Sequence, residues 1–169
     1  MSSVILWRHA EAEVESCTGK DTDRALTKRG RKDALKMANW LLDHWPANTT
    51  ILCSPAQRCL ETLGALQQLN GSVEVNKISL KITLAESLAI GSSVEDFAKQ
   101  ALNNDADQTI LLIGHQPNLG QLIARFLGMD EGACAVKKGA IWWLRQRQTQ
   151  TSSAGQSQYS LYTVQLPRY

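Results

Sequence analysis

Three apolar runs in this chain stop abruptly at side chains that carry, or can carry, positive charge. Val4-Ile5-Leu6-Trp7 ends in Arg8-His9. Ile51-Leu52-Cys53 leads through Ser54-Pro55 to Arg58, and Thr109-Ile110-Leu111-Leu112-Ile113 ends in Gly114-His115. Short apolar runs of this kind read as buried strands. In a parallel sheet, right-handed crossovers bring the carboxyl ends of such strands to one edge, where open α/β sheets place their chemistry. Arg8, His9, Arg58 and His115 can therefore converge although they are far apart in the sequence.

The hydrophobic pattern predicts strands near residues 3–8, 50–53, 80–84, 109–113, 140–146 and 159–166, and helices near 27–43, 56–69, 94–103 and 118–127. Alternating strands and helices followed by two strands predict an α/β fold. The expected form is a three-layer α/β/α sandwich whose sheet is mostly parallel and ends in a C-terminal antiparallel hairpin. Ser54 fits the N-cap of the second helix and Pro55 its first helical position, which puts Arg58 in the first turn. On the first helix Leu35, Ala38, Leu41 and Leu42 share a face and read as core, while His44 at its end suits the negative pole of the dipole. The connector Gln146 to Gln158, QRQTQTSSAGQSQ, is polar, low in complexity and expected to be a mobile hairpin loop.

A hydrophobic content of 43% over 169 residues is enough for the core of one domain spanning residues 1–169. The net charge of +2 is too small to argue for nucleic acid or a membrane surface. No apolar signal region precedes Arg8, and no run approaches the roughly 20 apolar residues of a membrane helix, so a soluble cytoplasmic protein is expected. The cysteines form no CxxC or metal-ligand pattern. Cys53 and Cys59 read as reduced packing residues.

Two guanidiniums, two imidazoles and the positive ends of two helices make a site for a small dianion, with phosphate foremost. Taken singly, Arg58 is equally an exposed helix residue and His115 a satisfied strand-end histidine. Their joint placement at three strand ends is what favours a site, and it makes His9 a candidate nucleophile.

The segments RHAEA (8–12), SPAQR (54–58) followed by Thr62 of CLET, and GHQPNLG (114–120) resemble the motifs of the histidine phosphatase superfamily, also called phosphoglycerate mutase-like. Arg24-Ala25-Leu26-Thr27-Lys28-Arg29-Gly30 resembles the LTxxG lead into that family's first helix. Over most of its length the chain is most similar to the small, single-domain SixA-type phosphohistidine phosphatases. The resemblance implies that His9 is transiently phosphorylated and that Arg8, Arg58 and His115 hold the phosphoryl oxygens. It also implies that a carboxylate protonates the leaving group and that neither cofactor nor metal takes part.

The chemistry agrees independently, because phosphoryl transfer asks mainly for positioning and for stabilisation of charge on the equatorial oxygens. No P-loop is present. A neutral imidazole is a competent nucleophile once its other nitrogen donates a hydrogen bond that fixes the tautomer, and that partner has to come from the fold. Most relatives have glycine after the nucleophile where this chain has Ala10, which is expected to keep a negative φ. Glu86 is the candidate general acid, with Glu11 the alternative and a plain surface glutamate the simpler reading of Glu86. Imidazole leaves more readily than an alkoxide, so a weak acid biases such an enzyme toward phosphoramidates.

The predicted activity is removal of phosphate from phosphohistidine on a protein, such as a phosphotransfer domain. The alternatives are a phosphatase of a small phosphorylated molecule using the same site, a mutase, and a catalytically silent binding module. Mutases and larger phosphatases carry a cap inserted between the Arg58 and His115 motifs. Here residues 59–114 are already taken up by two helices, a strand and the Glu86 loop. A basic cluster, Lys28, Arg29, Arg31 and Lys32, opens the first helix, and Lys137-Lys138 lies further on; each is a solvated face or a positive rim guiding a phosphorylated partner.

Overall fold

Strand β1 (Ser3–Arg8) runs parallel to β4 (Thr109–Gly114) on one side and antiparallel to β5 (Ile141–Gln146) on the other. β2 (Thr49–Cys53) lies parallel to β4 and to β3 (Lys81–Leu84), and β6 (Tyr159–Gln165) closes the other edge antiparallel to β5. The sheet order is therefore β3-β2-β4-β1-β5-β6, parallel over four strands with an antiparallel pair at the C-terminus. The computed structural model describes residues 2–72, 77–102, 107–132, 134–147 and 159–168. The connector expected to be a mobile loop, from residue 148 to 158, lies outside the described residues, as does Asn103 at the expected end of the third helix.

Side chains along a strand alternate between faces, and here both faces are apolar. Ile5, Trp7, Ile51, Cys53, Leu111 and Ile113 face α1 (Lys28–Asp43) and α2 (Gln57–Gly71), meeting Ala34, Met37, Leu41, Leu63 and Leu66. Val4, Leu6, Leu52, Ile110 and Leu112 face α3 (Val94–Leu102) and α4 (Asn118–Leu127), meeting Phe97, Ala101, Leu119, Leu122 and Ile123. This is the three-layer α/β/α sandwich expected from the sequence. Truncating a fully buried leucine such as Leu111 to alanine would cost about 2–5 kcal/mol.

The buried stripe of α1 is Ala34, Met37, Ala38 and Leu41, with Leu35 and Leu42 half-buried at its margin, so the apolar face is rotated slightly from the predicted one. Thr27 caps the helix by accepting from the Gly30 N–H at 2.9 Å. Gly30 is required by close approach: a Cβ there would stand 2.0 Å from the Glu11 carbonyl oxygen. The glycine of the LTKRG segment thus lets α1 press directly on the chain just beyond His9.

Ser54 does not cap α2. The helix begins two residues later than a Ser54 cap requires, at Gln57, with Ala56 in the cap position and no side-chain cap. Ser54 is instead fully buried and paired with His115, so a polar strand-end contact has taken the hydroxyl that local propensity assigns to the helix. His44 does end α1 as expected, its Nδ1 2.8 Å from the Trp40 carbonyl oxygen.

Candidate active site

Register brings the site together. Arg8 lies opposite Gly114 in the β1–β4 ladder, and Cys53 lies opposite Ile113 in the β2–β4 ladder. The residue following each strand therefore emerges at the same edge: His9 after β1, His115 after β4 and Ser54 after β2. The His9 N–H donates to the Gly114 carbonyl at 3.2 Å and the Ser54 N–H to the Ile113 carbonyl at 3.0 Å, which extends the ladders through these turns. Arg58 reaches the same place from the first turn of α2.

The two imidazole rings stand 5.3 Å apart between centroids, tilted by 55°. His9 Nδ1 lies 2.8 Å from the Ala10 carbonyl oxygen, an acceptor only, so Nδ1 carries the ring proton and donates it. Nε2 is then the nitrogen with the free lone pair. Burial, opposed by the bond to Ala10 and reinforced by His115, Arg58 and Arg8, lowers the His9 pKa to about 3. Burial and Arg58 likewise lower His115 to about 4. Both rings are neutral at neutral pH, the state a nitrogen nucleophile needs.

His115 Nε2 lies 2.8 Å from Ser54 Oγ, which also accepts from the Ala56 N–H at 3.4 Å. With the Ser54 hydroxyl donating to Nε2, the His115 ring proton sits on Nδ1. That atom is buried without a hydrogen-bond partner, and so are the Nε groups of Arg8 and Arg58. An unpaired buried donor costs about 1–3 kcal/mol, and three of them in one place are offset when an oxyanion accepts from them.

Both guanidiniums are otherwise anchored. Arg8 Nη1 donates to the Val136 carbonyl at 2.7 Å, and Arg58 donates through Nη1 to the Asp21 carbonyl at 2.8 Å and through Nη2 to Asp21 Oδ2 at 3.1 Å. Arg58 is 4% exposed, so it is not the exposed helix residue it could have been. Burial and the neighbouring charge of Arg58 push the Arg8 pKa below its usual value. Like charges held together in this way strongly favour a dianion between them.

Ala10 is fully buried and keeps a negative φ, as expected. Its N–H donates to Thr62 Oγ1 at 3.1 Å, and Thr62 Oγ1 donates to the Arg58 carbonyl at 2.7 Å. The threonine of CLET thus ties the backbone beside His9 to the turn that carries Arg58.

Glu86 opens a 3-10 turn, Glu86–Leu88, and is exposed. The preceding Ala85 N–H donates to the Cys53 carbonyl at 2.9 Å, which sets that turn against the carboxyl end of β2. Glu11 is bound elsewhere: its Oε2 accepts from Thr27 Oγ1 at 2.8 Å. Cys53 and Cys59 are buried, and burial pushes their thiols up, Cys53 to about 12 and Cys59 well above its usual value.

Two participants were not legible beforehand. Asp21 sits on a 3-10 turn, Asp21–Asp23, with no periodicity to mark it, and the local signal at Ser54 is that of a helix cap.

A sheet that gathers two arginines and two neutral histidines at its carboxyl edge has the architecture of a phosphoryl-transfer enzyme. The profile of the histidine phosphatase superfamily (branch 1) matches residues 4–86. Phosphohistidine phosphatase SixA of Escherichia coli is 31% identical over 124 residues, 72% of this chain and 71% of that protein. The chain belongs to the histidine phosphatase superfamily, in its SixA-type branch, and is a phosphatase. A solved structure assigned as SixA from Agrobacterium tumefaciens superposes with a TM-score of 0.78 at 22% identity, covering 98% of this chain and 97% of that one. The protein histidine phosphatase SixA complexed with tungstate superposes with a TM-score of 0.72 at 23% identity, covering 98% and 97%. Both share the phosphoglycerate mutase-like fold. Among the described residues no helix is long and apolar enough to cross a membrane.

Proposed function

We propose that the protein is a phosphohistidine phosphatase that works through phosphorylated His9, with residues 1–169 forming one histidine phosphatase domain. The observation that carries this reading is the bond from His9 Nδ1 to the Ala10 carbonyl at 2.8 Å, which leaves Nε2 unprotonated beside Arg8, Arg58 and His115. In the first step His9 Nε2 attacks phosphorus, a new P–N bond forms and the P–N bond to the substrate imidazole breaks. The departing imidazole takes a proton, for which Glu86 is the proposed donor. In the second step water attacks phosphorus, the bond to His9 breaks, inorganic phosphate leaves and the water proton passes to the same carboxylate.

Arg8, Arg58 and His115 hold the three equatorial oxygens in both steps, where charge stabilisation contributes most. The likeness to a SixA complexed with tungstate, a tetrahedral oxyanion, supports a phosphoryl site at this edge. The relative in Escherichia coli supports phosphohistidine as the substrate, with the imidazole as leaving group. The substrate is a phosphohistidine on a protein of the phosphotransfer type, and the setting is cytoplasmic signal transduction.

The test is a comparison of purified enzyme on a phosphorylated phosphotransfer domain and on a panel of sugar phosphates and phosphoglycerates. Faster turnover of the protein substrate, by orders of magnitude in kcat/KM, is expected. Preferential turnover of a small phosphomonoester would contradict the assignment.

A further inference from the structure

Beside the phosphoryl site lies a second cleft of about 410 Å³, lined by Glu11, Arg29, Asp33, Lys137, Lys138 and the C-terminal segment through Arg168. It shares a wall with the catalytic edge. Lys137 and Lys138 are bracketed by two residues that touch the site: the Val136 carbonyl accepts from Arg8, and the Gly139 N–H donates to the His9 carbonyl at 3.0 Å. From the opposite side the first turn of α1 contributes Arg29, held close by the contact between Gly30 and Glu11.

The charges in this cleft are not balanced internally. Its lining carries four cations, Arg29, Lys137, Lys138 and Arg168, against two carboxylates, Glu11 and Asp33; Arg168 pairs with Asp33, and Glu11 accepts from Thr27. Arg29, Lys137 and Lys138 are exposed and make no salt-bridge contact among the described residues, although Arg29 acts electrostatically on Asp33. The other members of the basic cluster behave differently: Arg31 pairs with Glu61 at 3.3 Å, and neither Lys28 nor Lys32 lines the cleft. Only one residue of the α1 cluster therefore faces it, and the remaining positive charge comes from the turn before β5.

We propose that this cleft is a docking subsite for acidic side chains that flank the phosphohistidine of a partner protein. The proposal rests on the phosphohistidine phosphatase reading above and adds to it the character of the partner surface. A cleft lined by two more cations than carboxylates, at the margin of a dianion site, selects carboxylates by charge complementarity and steers approach while leaving the chemistry at phosphorus untouched.

Two synthetic peptides test it, one with a central phosphohistidine flanked by glutamates and the other with glutamines in their place. At low salt the wild-type enzyme is expected to prefer the glutamate peptide by about tenfold in kcat/KM, three exposed charge pairs at about twofold each, and the preference should shrink as salt rises. Combined Arg29→Gln, Lys137→Gln and Lys138→Gln should abolish the preference while leaving hydrolysis of a small aryl phosphate unchanged, which also reports that the fold is intact. Lys137→Glu alone should weaken the preference by several-fold. Equal rates on the two peptides for the wild type, or a preference that survives the triple substitution, overturns the subsite. Hydrolysis of the aryl phosphate with neither peptide turned over overturns the phosphohistidine reading itself, and the subsite with it.

Discussion

Asp21 grips Arg58 twice, through its main-chain carbonyl at 2.8 Å from Nη1 and through its carboxylate at 3.1 Å from Nη2. The guanidinium is buried while the Asp21 side chain is 53% exposed, so a surface carboxylate orients a buried cation. Asp21→Asn keeps the carbonyl contact and removes the charge. It should lower kcat/KM roughly five- to tenfold, while unfolding free energy falls by no more than about 1 kcal/mol, because the carbonyl contact and the amide oxygen still satisfy the buried guanidinium. Steady-state kinetics beside urea unfolding separate this positioning role from a structural one, which would move both together.

Thr62 joins the nucleophile turn to the Arg58 turn. Replacing it with valine keeps the shape but leaves the buried Ala10 N–H without an acceptor, at a cost of about 1–3 kcal/mol. Denaturant unfolding should show that loss together with reduced turnover, and Thr62→Ser should restore most of both.

The buried histidines make stability depend on pH. Their folded pKa values, about 3 for His9 and about 4 for His115, lie below the ordinary value of 6.5, so the unfolded chain binds more protons between these limits. Stability therefore falls as pH drops below about 6.5, by up to about 1.4 kcal/mol per pH unit for each ring. Unfolding measured from pH 7 to pH 4.5 should follow this slope, and His9→Asn or His115→Asn should flatten it.

The strand ends were the legible part of the molecule. The alternation of strands and helices and three apolar runs ending in Arg8-His9, Arg58 and His115 are enough to predict the sandwich and the convergence, and the register Arg8 opposite Gly114 realises it. What stayed hidden depends on contacts between distant loops. Asp21 meets Arg58 only because a 3-10 turn of three residues folds over α2, and such a turn has no hydrophobic period. Ser54 is the converse case: its local cap signal is genuine, but His115, brought alongside by the β2–β4 pairing, competes for the hydroxyl and wins. The tautomer of His9 is fixed by its neighbour's backbone carbonyl, an acceptor that every residue carries and that only the folded geometry aims at Nδ1.

Glu86 occupies an exposed turn next to the carboxyl end of β2 and is the proposed proton donor. Glu86→Gln should depress hydrolysis of an alkyl phosphate by about 10²-fold or more and that of phosphohistidine much less, because only the alkoxide depends heavily on protonation. Parallel assays on both substrates decide it. Equal losses would make Glu86 a positioning residue, and no loss would move the acid to Glu11 or to water.

The most direct measurement is of His9 itself. Enzyme mixed with labelled phosphohistidine substrate and quenched rapidly in alkali should carry one phosphoryl group on His9, stable to base and labile to acid, found by intact mass and peptide mapping. His9→Ala should show neither adduct nor turnover. Wild-type turnover with no adduct at any quench time, or turnover retained by His9→Ala, would contradict the double-displacement account.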